Sequence, residues 1–124
     1  MRLLALASDP RALPCLKAFA SPPHTLLALV TAPDRPKGRG LKTEPSPLGV
    51  WAKAKGIRLL QPQDVNAPEV LQEIRALGPE AILVIAYGQK LGPSLLTLPA
   101  LGCLNLHPSL LPRYRGAAPI PRVL

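Results

Sequence analysis

The sequence predicts an α/β fold, and three observations predict it. Its strongest apolar segments, "RLLALA" and "EAILVIAYG" among them, are continuous rather than alternating, as in strands covered on both faces. The stretches between them carry helix caps and glycine stops. At 124 residues and 48% hydrophobic content, with mean hydropathy +0.20, the chain has enough apolar material for one core. Strands alternating with helices in this way specify a Rossmann-like doubly wound, mostly parallel sheet with helices on both faces.

Arg2 to Ala7 is the first buried strand, closed by "SDP", a cap followed by a proline suited to a first helical position. A helix is expected from Pro10 to Ala20, and His24 to Thr31 is the second strand. Ala32 to Pro47, "APDRPKGRGLKTEPSP", has no apolar period and reads as a long loop rich in Pro, Gly and cations. From Ser46, "SPLGVWAKAKG" is a capped helix stopped at Gly56. "IRLLQP" is a short strand, Ala67 to Gly78 a helix with its own glycine cap, Glu80 to Gly88 the most apolar strand, and "CLNLHP" closes the series with a free edge. Sheets of this class bind ligands beyond the carboxyl ends of their strands. Ser8, Asp9, Ala86 to Gln89 and Asn105 to Ser109 are therefore expected on one rim.

Several function classes are disfavoured. No apolar run approaches the roughly 18 residues of a membrane span, and "MRLLALASDPR" is too short for a secretory signal, so the chain reads as cytoplasmic. Cys15 and Cys103 lie far apart and outside any CxxC, which indicates buried thiols and no metal. The first turn, "ALASDPRAL", has neither GxGxxG nor GxxxxGK[ST], against a dinucleotide or ATP site there. A formal net charge of +8 suits a polyanionic partner, although it also serves solubility. The 17 prolines stiffen the expected loops, or reflect GC-biased coding.

The chemistry-bearing stretch is "CLNLHPSLLPRYRGAAPI". Asn105 and His107, two apart on a strand, share a face, while Leu104 and Leu106 share the other. An Asn amide donates to an oxyanion developing on a carbonyl carbon, and a His, with an ordinary pKa of about 6.5, carries an amine proton. Acyl transfer to an amine is one reading; an Asn satisfying backbone at a strand end beside a core His is the other.

"NLHPSLLPRYRGAAPI" resembles the signature of the folate-dependent formyltransferases, an Asn-x-His followed by a Ser-Leu-Leu-Pro turn. The long basic segment, with "VIAYGQKL", is similar to the branch of that family that formylates methionyl initiator tRNA. The resemblance implies catalytic roles for Asn105 and His107. It implies 10-formyltetrahydrofolate as formyl donor, held against Tyr87, Gly88 and the turn Ser109, Leu110, Leu111 and Pro112. It implies tRNA contact by Arg35, Lys37, Arg39 and Lys42, with Arg113 and Arg115 able to sit on phosphates or cap their turn. By itself, without the resemblance, the basic segment reads as a solvated, flexible surface loop rather than a tRNA contact. The alternatives are a relative formylating a small amine, such as a sugar nucleotide or glycinamide ribonucleotide, and an inactive fragment that only binds folate or tRNA.

Residues 1–124 correspond in this reading to the N-terminal part of the catalytic domain, lacking the rest of that domain and a C-terminal β-barrel domain. The family's catalytic aspartate has no counterpart, since no Asp or Glu follows Glu80, and the chain alone is expected to be inactive. The family's Gly-Thr-Pro first turn is here Ser8, Asp9 and Pro10. Ser8 is expected to crowd the backbone, and Asp9 to add negative charge to the rim.

Overall fold

The structure is a computed structural model describing residues 1–37, 42–44, 46–107 and 122–123. A six-stranded sheet runs in the order β5 (Arg58–Leu60), β2 (Thr25–Val30), β1 (Arg2–Ala7), β6 (Ala81–Ile85), β7 (Cys103–Asn105) and β8 (Arg122–Val123). The first five are parallel, and β8 pairs antiparallel with β7, Leu104 opposite Val123 and Asn105 opposite Arg122. The outer edge of β7, expected to be free, is therefore taken by β8.

Side chains of the central strands alternate between two apolar layers, as a period of two demands. Leu3, Ala5 and Ala7 of β1, with Leu83 and Ile85 of β6, pack against Cys15 and Leu16 of α1 (Leu13–Phe19) and Leu48 and Ala52 of α2 (Pro47–Ala54). Leu4 and Leu6, with Ile82 and Val84, pack on the other face against Ile74 of α3 (Pro68–Leu77) and Leu95 of α4 (Pro93–Leu96). Helices on both faces confirm the doubly wound architecture and explain why these strands are apolar throughout. Both cysteines are buried free thiols, and burial pushes the pKa of each up.

Helix ends follow their sequence signals. Ser46 Oγ accepts from Gly49 N at 3.0 Å to cap α2, which ends before Gly56 at φ 71°. Gly78, at φ 65°, stops α3 in the left-handed conformation that glycine adopts without strain. The helix expected from Pro10 begins instead as a 3-10 turn, Pro10–Ala12, before α1, because prolines at 10 and 14 delay regular hydrogen bonding.

The segment read as an unstructured loop contains two strands, β3 (Arg35–Lys37) and β4 (Lys42–Glu44), paired antiparallel as a sheet of their own. Their polar sequence has no apolar alternation to betray them. Helix α4 was also unexpected; four residues are too few to show a helical period.

Candidate active site at the carboxyl rim

The carboxyl ends of β1, β2 and β6 open onto a cleft of about 420 Å3 lined by Ser8, Ala32, Pro33, Asp34, Gln63, Tyr87, Gly88 and Gln89. Ser8 N donates to Ala86 O at 3.2 Å, joining the first turn to the end of β6. Ala86 itself has φ 51°, the one non-glycine residue with positive φ among those described. A left-handed alanine is unfavourable, and such strain is commonly found at binding rims. Ser8, in the first turn, takes no such conformation.

Three hydroxyls gather at this rim. Ser8 Oγ, Thr31 Oγ1 and Tyr87 Oη are buried and have no hydrogen-bond partner among the described residues. An unpaired buried hydroxyl costs on the order of 1–3 kcal/mol, and Ser8 and Tyr87, two of the three, line the cleft, where water or a polar ligand can reach them. Burial, with a lesser contribution from the Asp64 carboxylate, pushes the Tyr87 phenol up to about 12. The phenol is thus a neutral donor at working pH.

Two amide side chains fix the cleft wall. Gln89 Oε1 accepts from Val65 N at 2.7 Å while its Nε2 donates to Pro62 O at 3.1 Å. Asn66 Nδ2 donates to Lys90 O at 2.8 Å, and its Oδ1 accepts from Gly92 N at 2.7 Å. The segments after β5 and β6 are thereby stitched together. These tethers were missed in the sequence, since partners 24 to 27 positions apart leave no local signature.

Asn105 ends β7 opposite Val84 of β6, and Leu106 N donates to Val84 O at 2.8 Å. Leu106 is buried and Leu104 packs against the α1/α2 layer, while Asn105 and His107 are both exposed. The predicted alternation is therefore observed. The structure brings Ser8, Tyr87, Gly88 and Gln89 to the cleft, with Asn105 and His107 at the end of the neighbouring strand, outside the cleft lining. Ser109, Leu110, Leu111, Pro112, Arg113, Arg115 and Arg39 lie outside the described residues. Arg35, Lys37 and Lys42 fall on β3 and β4.

Asp9 does not load the rim with unpaired charge. Its carboxylate accepts from Arg11 N at 2.8 Å and holds the Arg11 guanidinium, Nη2 to Oδ2 at 2.8 Å. The Arg11 side-chain hydrogen bonds keep the Asp9 carboxyl below its usual range. An Asp two residues before an Arg was a readable signal for this local pair.

No group of His, Cys, Asp and Glu among the described residues could hold a metal ion, and none of their helices is long and apolar enough to cross a membrane. The fold and rim thus define an α/β protein with a cleft, lined by polar and apolar residues, beyond its parallel strands. The sequence profile of the formyl transferase family matches residues 11–124, and the chain belongs to that family. It is 50% identical over 120 residues to a methionyl-tRNA formyltransferase of Geobacter metallireducens, covering 97% of this chain and 39% of that protein. It is 48% identical over 125 residues to the methionyl-tRNA formyltransferase of Halothermothrix orenii, covering 100% and 40%. The chain therefore spans about two fifths of the length of these curated relatives. Glycinamide ribonucleotide transformylase 1 of Geobacillus kaustophilus superposes with TM-score 0.58 at 25% identity, covering 93% of this chain and 62% of that one. Phosphoribosylglycinamide formyltransferase of Bacillus Halodurans, at TM-score 0.60 and 17% identity over 85% of this chain and 55% of that one, shares the fold.

Proposed function

We propose that this chain forms the N-terminal part of the catalytic domain of a cytoplasmic methionyl-tRNA formyltransferase, moving a formyl group from 10-formyltetrahydrofolate to the methionyl amine for translation initiation. The observation that carries the reading is the Asn-x-His strand, β7, lying beside β6, whose end lines the polar cleft. Identities of 50% and 48% to methionyl-tRNA formyltransferases support this acceptor over a small amine.

In the reaction, the amine nitrogen attacks the formyl carbon, a carbon–nitrogen bond forms, and the bond from that carbon to the folate N10 breaks. Asn105 Nδ2 donates to the formyl oxygen as it gains negative charge, and His107 accepts the amine proton as the leaving N10 takes one up. Tyr87 and Gly88 line the donor site with Ser109, Leu110, Leu111 and Pro112. Arg35, Lys37, Arg39 and Lys42 neutralise tRNA phosphates.

The test uses a chimera in which residues 1–124 are continued by the remainder of the Geobacter metallireducens enzyme. Asn105→Ala and His107→Ala in this chimera are each expected to lower formyl transfer about 100 to 1000-fold while folate still binds. Turnover near the unsubstituted level in either variant refutes the assignment.

A further inference from the structure

The β3–β4 hairpin does not pair with the six-stranded sheet, and an isolated two-stranded hairpin is at best marginally stable in water. Among the described residues, polar bonds at its base tie it to the body. Gln61, just beyond β5, donates through Nε2 to Asp34 Oδ1 at 2.8 Å and to Ala32 O at 3.3 Å. Ser46 N donates to the same Asp34 oxygen at 3.4 Å. Asp34 immediately precedes the hairpin and Ser46 follows it, so one carboxylate oxygen gathers both ends of residues 35–45.

Each end is also fixed to the core. Thr31 N donates to Leu60 O at 2.9 Å, holding the segment that leads to Asp34 against the strand that carries Gln61. Ser46 caps α2, whose Leu48 and Ala52 are fully buried. Asp34 is the sole acid from Ala32 to Lys42, among Arg35, Lys37, Arg39 and Lys42. A carboxylate there opposes any anion that the cations attract, so its presence calls for another role. Asp34, Ala32 and Pro33 all line the cleft as well. The residue that closes the hairpin is thus part of the cleft wall.

We propose that Asp34 and Gln61 are positioning residues, a clasp that fixes the direction of the basic hairpin relative to the cleft so that a polyanionic acceptor gripped by the hairpin presents its reacting end there. This rests on the function proposed above, in which the acceptor is a tRNA. The clasp acts on productive alignment rather than on attraction, since Gln61 brings no charge. A misdirected hairpin keeps its cations and its affinity, but not the alignment on which reaction depends.

The test uses the same chimera. Gln61→Glu sets a carboxylate against Asp34 and Ala32 O and is expected to lower kcat on methionyl-tRNA about tenfold. The tRNA Kd, its salt dependence and the folate Kd should stay within about twofold. Gln61→Leu, which removes the donor without adding charge, should lower kcat similarly and serves as the reading should Gln61→Glu fail to fold. Adding Asp34→Asn to Gln61→Glu recreates a donor–acceptor pair in the opposite sense and should recover part of the lost kcat. Unchanged kcat in both single variants, or a loss that merely tracks reduced thermal stability without rescue, overturns the clasp. Replacing Arg35, Lys37, Arg39 and Lys42 together by Ser separates the underlying reading: if salt-dependent tRNA binding survives, the hairpin does not meet tRNA at all, whatever Gln61 does.

Discussion

The parallel sheet and the β3–β4 hairpin are opposite solutions to the same problem of holding a strand in place. Leu4, Leu6, Leu29 and Ile85 are wholly buried, so the sheet's strands stay in place because leaving costs apolar exposure. The hairpin registers Arg35 with Glu44, Pro36 with Thr43 and Lys37 with Lys42, and among the described residues the Asp34–Gln61–Ser46 junction links its base to the body. The first region tolerates surface change and punishes core change. The second can be redirected by a few hydrogen bonds, which suits the tRNA contact proposed for it.

The sharpest way to break this contrast is in the sheet. Leu83 is central in β6, registered between Ala5 and Leu104, and 1% exposed. Leu83→Ala is expected to destabilise the chain by roughly 2–5 kcal/mol through lost burial and the cavity left behind. Urea denaturation checks this. A change under 1 kcal/mol would mean that β6 is not the core strand described here.

An intermediate effect is expected where polar tethers are built onto the sheet. Asn66→Ala removes the partners of both Lys90 O and Gly92 N, at a cost of about 1–3 kcal/mol. Stability measured by denaturation should fall by that amount, with faster amide exchange at Gly92 if the tether is what orders the segment beyond Gln89. A neutral result would leave the cleft wall held by Gln89 alone.

The same contrast explains what could be read from sequence. "RLLALA" and "AILVI" announced buried strands because both faces of each had to be apolar, and Ser46, Gly56 and Gly78 announced helix ends because caps are local. Asn105 and His107 were legible because a two-residue spacing on a strand fixes a common face. The hairpin was not, because its charged strands lack an apolar alternation; the glycine-bearing connection between "RPK" and "KTE" was the available hint. The Gln61–Asp34 bond spans 27 positions, and the Gln89 and Asn66 tethers span similar distances. The Gln61–Asp34 contact becomes visible only when the topology sets β5 and β2 side by side, and the other tethers only when the sheet brings the segments beyond β5 and β6 to one rim.

The smallest expected effect on stability falls on the hairpin, where Lys37 and Lys42 occupy partnered register positions. Like charges at directly opposed positions disfavour strand pairing by a few tenths of a kcal/mol, up to about 1 kcal/mol. Lys37→Thr removes that opposition and supplies a residue well suited to strands. Stability should therefore stay within about 0.5 kcal/mol of the parent, with any shift upward. Function should move the other way: in the extended chimera, loss of one phosphate contact should reduce the log–log salt slope of tRNA binding by roughly one unit. Lysines at partnered register positions fit the polyanion contact proposed above, which would offset like-charge repulsion between strands. A variant with an unchanged salt slope would instead make Lys37 an ordinary solvated residue and remove the hairpin's β3 strand from the tRNA contact.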